Sequence, residues 1–223
     1  VKVAICVPTR NPQPEFCYSL AQLMAHTAAI FERHGGGHEL GLLMQEGTYL
    51  PKNREELAGL ALDADVTHIL WLDDDMQFPK DALLRLMGRE VEVVGANYVA
   101  RGVPPVPVAI KCTGREADGP ERARCWTGPD STGLEVVDAI GFGCTLMQRA
   151  AFARVRERPY FENTYGRLQH GWVGEDVDFC IKFRRGGGVV HVDHDLSKEV
   201  GHVGKMVYKH EHANALLKAG LAA

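Results

Sequence analysis

The sequence predicts an α/β fold, a mostly parallel, doubly wound central sheet flanked by helices. Two observations point there. Short apolar runs alternate with segments of helical period through residues 1–100, in a βαβαβαβ order. The strand-like runs at 3–7 and 67–72 end in the polar clusters Thr9-Arg10 and Asp73-Asp74-Asp75. In such sheets ligands bind beyond the carboxyl ends of the strands, so both clusters are expected at one cleft.

Val3-Ala4-Ile5-Cys6-Val7 reads as a buried strand running into the loop Pro8-Thr9-Arg10-Asn11-Pro12. Phe16, Leu20, Leu23, Met24, Ile30 and Phe31 recur at helical spacing, with Pro14 near the start and Gly35-Gly36-Gly37 as the stop. Residues 39–45 read as a second strand, and Pro51 opens a helix with Leu57, Leu60 and Ala61 on one face. The strand ending at Asp73 follows, then a helix over 79–87 and a strand over 91–96. Beyond residue 100 the pattern loosens. Residues 101–133, rich in Gly, Pro and Arg, read as a long excursion around a strand at 106–111. Strands are expected at 134–139, 143–148 and 189–192. Helices are expected at 150–156, at 175–185 with Gly186-Gly187-Gly188 as its stop, and at 206–219.

An apolar content of 45%, a charged content of 24% and a formal net charge of −4 are ordinary for a globular chain. They offer no global attraction to nucleic acid or to an anionic membrane. Arg101, Lys111, Arg115, Arg122 and Arg124 form one local basic cluster, diluted by Glu116, Asp118 and Glu121. Arg149, Arg154, Arg156 and Arg158 form another. Such clusters read first as solvated faces. The six cysteines are widely spaced with no C-x-x-C pair, and Cys6, Cys144 and Cys180 sit in apolar patterns as buried thiols. This argues against a structural zinc site or a disulfide framework and fits a reducing, cytoplasmic setting. No run reaches the roughly 18 apolar residues of a membrane span, and no signal peptide is evident.

Asp73-Asp74-Asp75 is the most informative stretch. Carboxylates clustered at a strand end are costly unless a cation or strong donors meet them. In extended backbone, residues i and i+2 face the same way about 6.5–7 Å apart, so Asp73 and Asp75 are expected to face one site while Asp74 points elsewhere. Hard oxygen ligands with an open face suit Mg²⁺ or Mn²⁺ carrying a diphosphate. The competing reading is an acidic turn or a helix N-cap ahead of Pro79.

Six segments occur in an order that breaks this tie. They are a V-x-V-P-T-R-like first strand, L-P-K-N-R-E-E-L-A at 50–58, W-L-D-D-D-M at 71–76, G-F-G-C-T-L-M at 141–147, G-E-D-V-D-F at 174–179 and G-H-V-G at 201–204. Over residues 1–205 the chain resembles the GT-A glycosyltransferases, particularly small family-2-like members. The resemblance implies one GT-A domain over 1–223, with a nucleotide-sugar-binding half at 1–100 and an acceptor-side half at 101–223. It makes the triplet the D-x-D motif, holding Mn²⁺ or Mg²⁺ across the two phosphates of a nucleotide-sugar. Asp75 is then the direct metal ligand. Asp73 serves the metal through a bound water, or the ribose, and Asp74 belongs to the same donor-binding motif. His202 matches a late histidine that supplies a further metal ligand. A structural loop histidine is its plain alternative.

The resemblance also places Thr9, Arg10, Asn53 and Arg54 at the nucleotide. Arginine donors suit phosphate, and Asn53-Arg54 opens a helix whose N–H groups could meet an anion. Relatives place an E-D pair where Glu175-Asp176 stands, with Asp176 as the base that deprotonates the acceptor hydroxyl and Glu175 as a positioning group. A helix N-terminus would favour the ionised carboxylate. Gly141-Phe142-Gly143 departs from G-x-G-x-x-G, since Leu146 occupies the third glycine position, and is expected to let acceptor or sugar approach the backbone. Trp172 either stacks on a sugar or fills core. The run His191-Val192-Asp193-His194-Asp195 suggests a metallohydrolase by composition but reads as a strand end and loop.

The expected activity is metal-dependent transfer of a sugar from a nucleotide-diphosphate donor, UDP- or GDP-sugar first, to an acceptor hydroxyl with inversion. The acceptor is open, a nucleic acid included. The alternatives are a sugar-phosphate nucleotidyltransferase, which would need a glycine-rich loop that Pro8–Pro12 lacks, and a non-catalytic sugar- or nucleotide-binding protein of the same fold.

Overall fold

The first strand, β1 (Lys2–Thr9), is buried from Val3 to Pro8, so both of its faces need cover. That suits the interior of a parallel arrangement. It pairs in parallel with β2 (Glu39–Glu46) on one side and β3 (His68–Leu72) on the other. The connections are helical. α1 (Pro14–Arg33) has Pro14 in its first turn and ends before Gly35, Gly36 and Gly37, whose φ angles of 90°, 77° and 74° suit residues without a side chain. α2 (Leu50–Asp63) turns Leu57, Ala58 and Ala61 inward; Leu60, expected on that face, is exposed. Small alanines let this helix lie close to the sheet, which leaves the outward position to the larger side chain.

The chain continues through β4 (Met76–Gln77), α3 (Ala82–Met87), β5 (Val93–Gly95), β6 (Val99–Ala100), β7 (Val106–Pro107), β8 (Ile110–Thr113), β9 (Glu121–Arg124), β10 (Leu134–Val137) and β11 (Cys144–Gln148). Then follow α4 (Arg149–Arg154), β12 (Thr164–Tyr165), β13 (Trp172–Val173), α5 (Glu175–Arg185), β14 (Val190–Asp193), α6 (His194–Ser197), β15 (Gly201–Val203), β16 (Val207–Tyr208) and α7 (His210–Lys218). This computed structural model describes residues 1–102, 104–113, 121–165, 171–204 and 207–218. Arg115, Glu116 and Asp118 of the first basic cluster lie outside the described residues, as do both expected ends of the last helix, Met206 and Ala219.

The central sheet has seven strands in the order β10-β14-β5-β11-β3-β1-β2. It is mixed, which corrects the expectation of a mostly parallel sheet. β11 runs antiparallel to both β3 and β5, and β10 runs antiparallel to β14. The apolar pattern of β11 is the same in either direction, so periodicity alone could not reveal its reversal. The strand expected at 106–111 is two short strands, each in its own small hairpin.

Alternation along β3 builds a core on each face of the sheet. Ile69 and Trp71 join Leu57, Phe142, Phe161, Phe179 and Phe183 on one side. Leu70 and Leu72 join Phe16, Leu23, Leu83 and Leu86 on the other. The thiols of Cys6, Cys144 and Cys180 are buried within these cores, and burial pushes each up to about 12. Among the described residues, no helix is long and apolar enough to cross a membrane.

Candidate functional site

At the end of β3 the chain leaves the sheet in a turn, with the Met76 N–H donating to the Asp73 carbonyl at 3.2 Å. Asp73-Asp74-Asp75 is therefore a turn and not extended backbone, and the alternation argument for which carboxylates share a face does not hold there. The triplet nevertheless lines one open cleft of about 290 Å³, together with Thr9, Arg10, Asn53, Arg101 and His202. None of the three carboxylates caps α3, whose N-cap position is Asp81.

His202 reaches this turn through strand pairing. β15 lies antiparallel to β4, with His202 opposite Met76, and the Val203 N–H donates to the Asp75 carbonyl at 2.7 Å. The imidazole Nδ1 is 3.1 Å from the Val99 carbonyl, a partner that can only accept, so this nitrogen carries the proton. Nε2 faces Asp75 Oδ2 at 3.3 Å. As an N–H it donates to that carboxylate; with the proton gone, its lone pair and the carboxylate oxygen could share a cation. A carboxylate oxygen with one imidazole nitrogen, the histidine oriented by a backbone carbonyl, suits Mn²⁺ better than Mg²⁺, which prefers oxygen ligands alone. Arg101 Nη2 also contacts Asp75 Oδ2, at 2.7 Å. Burial alone would raise the Asp75 carboxyl, but the His202 hydrogen bond and charge, with Arg101 behind them, hold it below its ordinary value.

Beneath the cleft lies a buried charge relay. Arg54, 1% exposed, donates from Nη2 to Asp73 Oδ1 at 2.6 Å and from Nε to Glu175 Oε1 at 3.1 Å. Its guanidinium packs over Trp71 and Phe142, 5.3 and 5.7 Å from the ring centroids. Arg54 thus sits under the floor of the cleft, holding two carboxylates, and is not among the residues that line it. Desolvation is the main influence on Asp73 and raises its carboxyl; Arg54 opposes this, while the Asp75 and Glu175 charges add to it.

Asp176 stands next in line at the start of α5, partly exposed, with Oδ1 accepting from the Val177 N–H at 2.7 Å. Desolvation, reinforced by the Glu175 charge, pushes its carboxyl up to about 7, and the Val177 N–H and Arg54 offset this only in part. The helix terminus thus loses to burial and like charge, the reverse of the sequence expectation. A carboxylate with that affinity for protons is matched to general-base work near neutral pH.

Asp74 is the anchor of the β1 loop. Its Oδ2 accepts from the Thr9 hydroxyl at 2.8 Å and from the Arg10 and Asn11 N–H groups at 2.8 and 2.9 Å. The Thr9 hydroxyl is engaged in the same contact, whereas the Arg10 side chain is exposed at the cleft. Asn53 is 4% exposed and packs against Gly47, where a Cβ would sit 2.5 Å from Asn53 Oδ1. Gly141 and Gly143 do not open the backbone to a ligand. They admit the Tyr98 side chain, whose hydroxyl would lie 2.4 Å from a Cβ added at Gly141 and whose ring would lie 2.8 Å from one added at Gly143. Tyr98 accepts from the Gly143 N–H at 3.2 Å and meets the His202 ring edge-on at 5.5 Å, so it braces that histidine. Neither Tyr98 nor Arg101 was singled out as a site residue from sequence, since no local spacing marks them.

Trp172 is 73% exposed and its ring lies 5.5 Å from that of exposed Tyr165, on the β12–β13 hairpin that leads into α5. It does not fill core. The run 191–195 is not at the cleft: Asp193 caps α6 at Leu196 N–H and pairs with Arg89, and His194 contacts Glu135.

No protein-family model and no curated protein matches the sequence. Solved structures match in shape. A197 from STIV gives a TM-score of 0.57 at 15% identity, covering 92% of this chain and 86% of that one. A mutant of Drosophila β1,4-galactosyltransferase 7, in complex with manganese, UDP-Gal and xylobiose, gives 0.50 at 17% identity over 91% of this chain and 71% of that one. At these identities the likeness establishes the architecture, a GT-A-like α/β fold.

Proposed function

We propose that this chain is a metal-assisted, inverting glycosyltransferase of the family-2-like GT-A type, moving a sugar from a nucleotide diphosphate to an acceptor hydroxyl. The observation that carries the reading is the pair formed by Asp75 Oδ2 and the oriented His202 Nε2, 3.3 Å apart at the mouth of the cleft. Asp75 and His202 would hold Mn²⁺ or Mg²⁺, with Asp73 beside them. That ion, when bound, neutralises charge on the departing diphosphate as a Lewis acid. Arg10 and Asn53 line the nucleotide side, and Asp74 holds the β1 loop that carries Thr9 and Arg10.

Asp176 takes the proton from the acceptor hydroxyl. The freed oxygen attacks the anomeric carbon while the bond from that carbon to the diphosphate breaks. Glu175, tied to Arg54, keeps the start of α5 in register with the floor of the cleft and is a positioning residue. Trp172 and Tyr165 offer an exposed aromatic platform on the β12–β13 pair that precedes α5, suited to the apolar face of an acceptor sugar. The neighbouring galactosyltransferase complex, with manganese, UDP-Gal and xylobiose, supports a sugar acceptor and a uridine donor as first choices.

The test is calorimetric titration of UDP- and GDP-sugars with and without Mn²⁺, followed by product analysis. Donor binding that is the same with chelator and with Mn²⁺ would overturn the metal assignment. Asp176→Asn should lower kcat by about 10²- to 10⁴-fold with donor affinity retained. A kcat close to wild type would remove Asp176 as the base.

A further inference from the structure

A second cluster of ligating side chains lies outside the cleft, and the proposed transfer makes no use of it. Cys125 follows β9, Glu135 lies on β10 and His194 opens α6, yet one ligand atom from each lies within 4.8 Å of the others. Cys125 and His194 are each 3% exposed. None of the three lines the acidic cleft.

The cluster is held from behind. Asn97, fully buried, donates from Nδ2 to the Cys125 carbonyl at 2.8 Å and to Thr127 Oγ1 at 3.2 Å, and its Oδ1 accepts from the Ala109 N–H at 2.9 Å. One amide thus fixes the loop that carries the thiol. Thr127 Oγ1 in turn lies 2.9 Å from His194 Nδ1, and the His194 N–H donates to the Gly133 carbonyl at 3.0 Å. With Nδ1 anchored, Nε2 points at Glu135 Oε2, 2.7 Å away. An imidazole oriented through its other nitrogen is the usual setting of a metal-ligating histidine.

Sulfur, nitrogen and oxygen donors together describe zinc chemistry, since a thiolate does not suit Mg²⁺ and three protein ligands leave a fourth tetrahedral position for water. We propose that Cys125 Sγ, a Glu135 carboxylate oxygen and His194 Nε2 bind Zn²⁺ at a site separate from the acidic cleft. The ion would tie the loop after β9 to β10, the edge strand of the central sheet, and to the start of α6. On binding, the Cys125 S–H bond gives up its proton to solvent as the Zn–S bond forms, and the imidazole proton resides on Nδ1, donating to Thr127. Thiolate and carboxylate then balance the two positive charges. Lys111, which contacts the other Glu135 oxygen, is 41% exposed and can turn its ammonium to water.

The experiment is a Co²⁺ titration of the full chain after chelator treatment and dialysis. One equivalent should produce tetrahedral visible bands and an intense thiolate-to-cobalt band in the near ultraviolet, both erased by one equivalent of Zn²⁺. Asp75→Ala should keep these bands, which separates this site from the cleft and from the glycosyltransferase reading. Cys125→Ser should abolish the thiolate band. A folded protein without that band, or a band of full intensity in Cys125→Ser, overturns the proposal. Should Cys125→Ser not fold, Glu135→Gln serves instead: it should weaken Zn²⁺ binding about 10- to 100-fold, and unchanged affinity overturns the site.

Discussion

Two acidic runs end two strands of the same sheet and do opposite things. Asp193, the last residue of β14, is fully buried, and Asp195 beyond it, though partly exposed, is met by donors as well. Arg89 meets Asp193 through two contacts at 2.8 and 3.0 Å and reaches Asp195 at 3.0 Å, while the Leu196 and Gly133 N–H groups donate to the same carboxylates. Asp73 and Asp75, after β3, are left partly open. Arg54 holds Asp73 from below, and on the cleft side Asp75 meets the half-exposed Arg101 and His202 Nε2. The letters are alike and the supply of counter-charge is not. A carboxylate cluster becomes a candidate cation site where the fold withholds donors, and a structural knot where it delivers them.

That contrast can be broken from either side. The largest effect is expected at the closed run. Arg89→Ala leaves fully buried Asp193 without its guanidinium and should cost about 2–4 kcal/mol of folding stability, discounted from the value for a fully buried pair because Arg89 itself is 29% exposed. Denaturant melts measure this, and donor affinity of the folded protein should hold. At the open run the pattern inverts. Asp75→Asn should weaken Mn²⁺-dependent donor binding by about 100-fold with the melting temperature unchanged or higher. A large loss of stability there would make Asp75 another structural knot.

Next comes pH. With the Asp176 carboxyl raised to about 7, kcat/KM should climb about tenfold per pH unit below that value and level off above it. Stability should move the other way. A carboxyl whose folded affinity for protons exceeds its unfolded one takes up a proton on folding, so folding gains as pH falls from about 7 toward the ordinary carboxylate range. Asp176→Asn should flatten both profiles. The smallest effect is expected for His202→Ala, about tenfold in Mn²⁺ affinity, because Asp75 and Asp73 would still face the ion. An identical metal titration would return His202 to a structural role.

Much of the fold was legible because apolar period and glycine punctuation are local. The helix at 175–185 was read to the residue, and β1, α1 and β2 to within a few positions. Strand direction was not, since β11 owes its reversed course to partners on either side of it. In the cleft, the acidic turn and His202 were readable as residue types in order. What each one touches was not. The burial of Arg54 between Asp73 and Glu175 and the packing of Tyr98 on Gly141 and Gly143 depend on distant partners that no local pattern names. Cys125, Glu135 and His194 are scattered in sequence, so no spacing could have announced their meeting.

The pairing of β4 with β15 carries a consequence for how the protein comes into being on the ribosome. The aspartate turn is made with the third strand, but His202 is translated 127 residues after Asp75. While that stretch is being made, the nascent polypeptide holds this acidic corner without the histidine. The candidate site therefore closes through a long-range contact, after the intervening strands of the sheet have been synthesised.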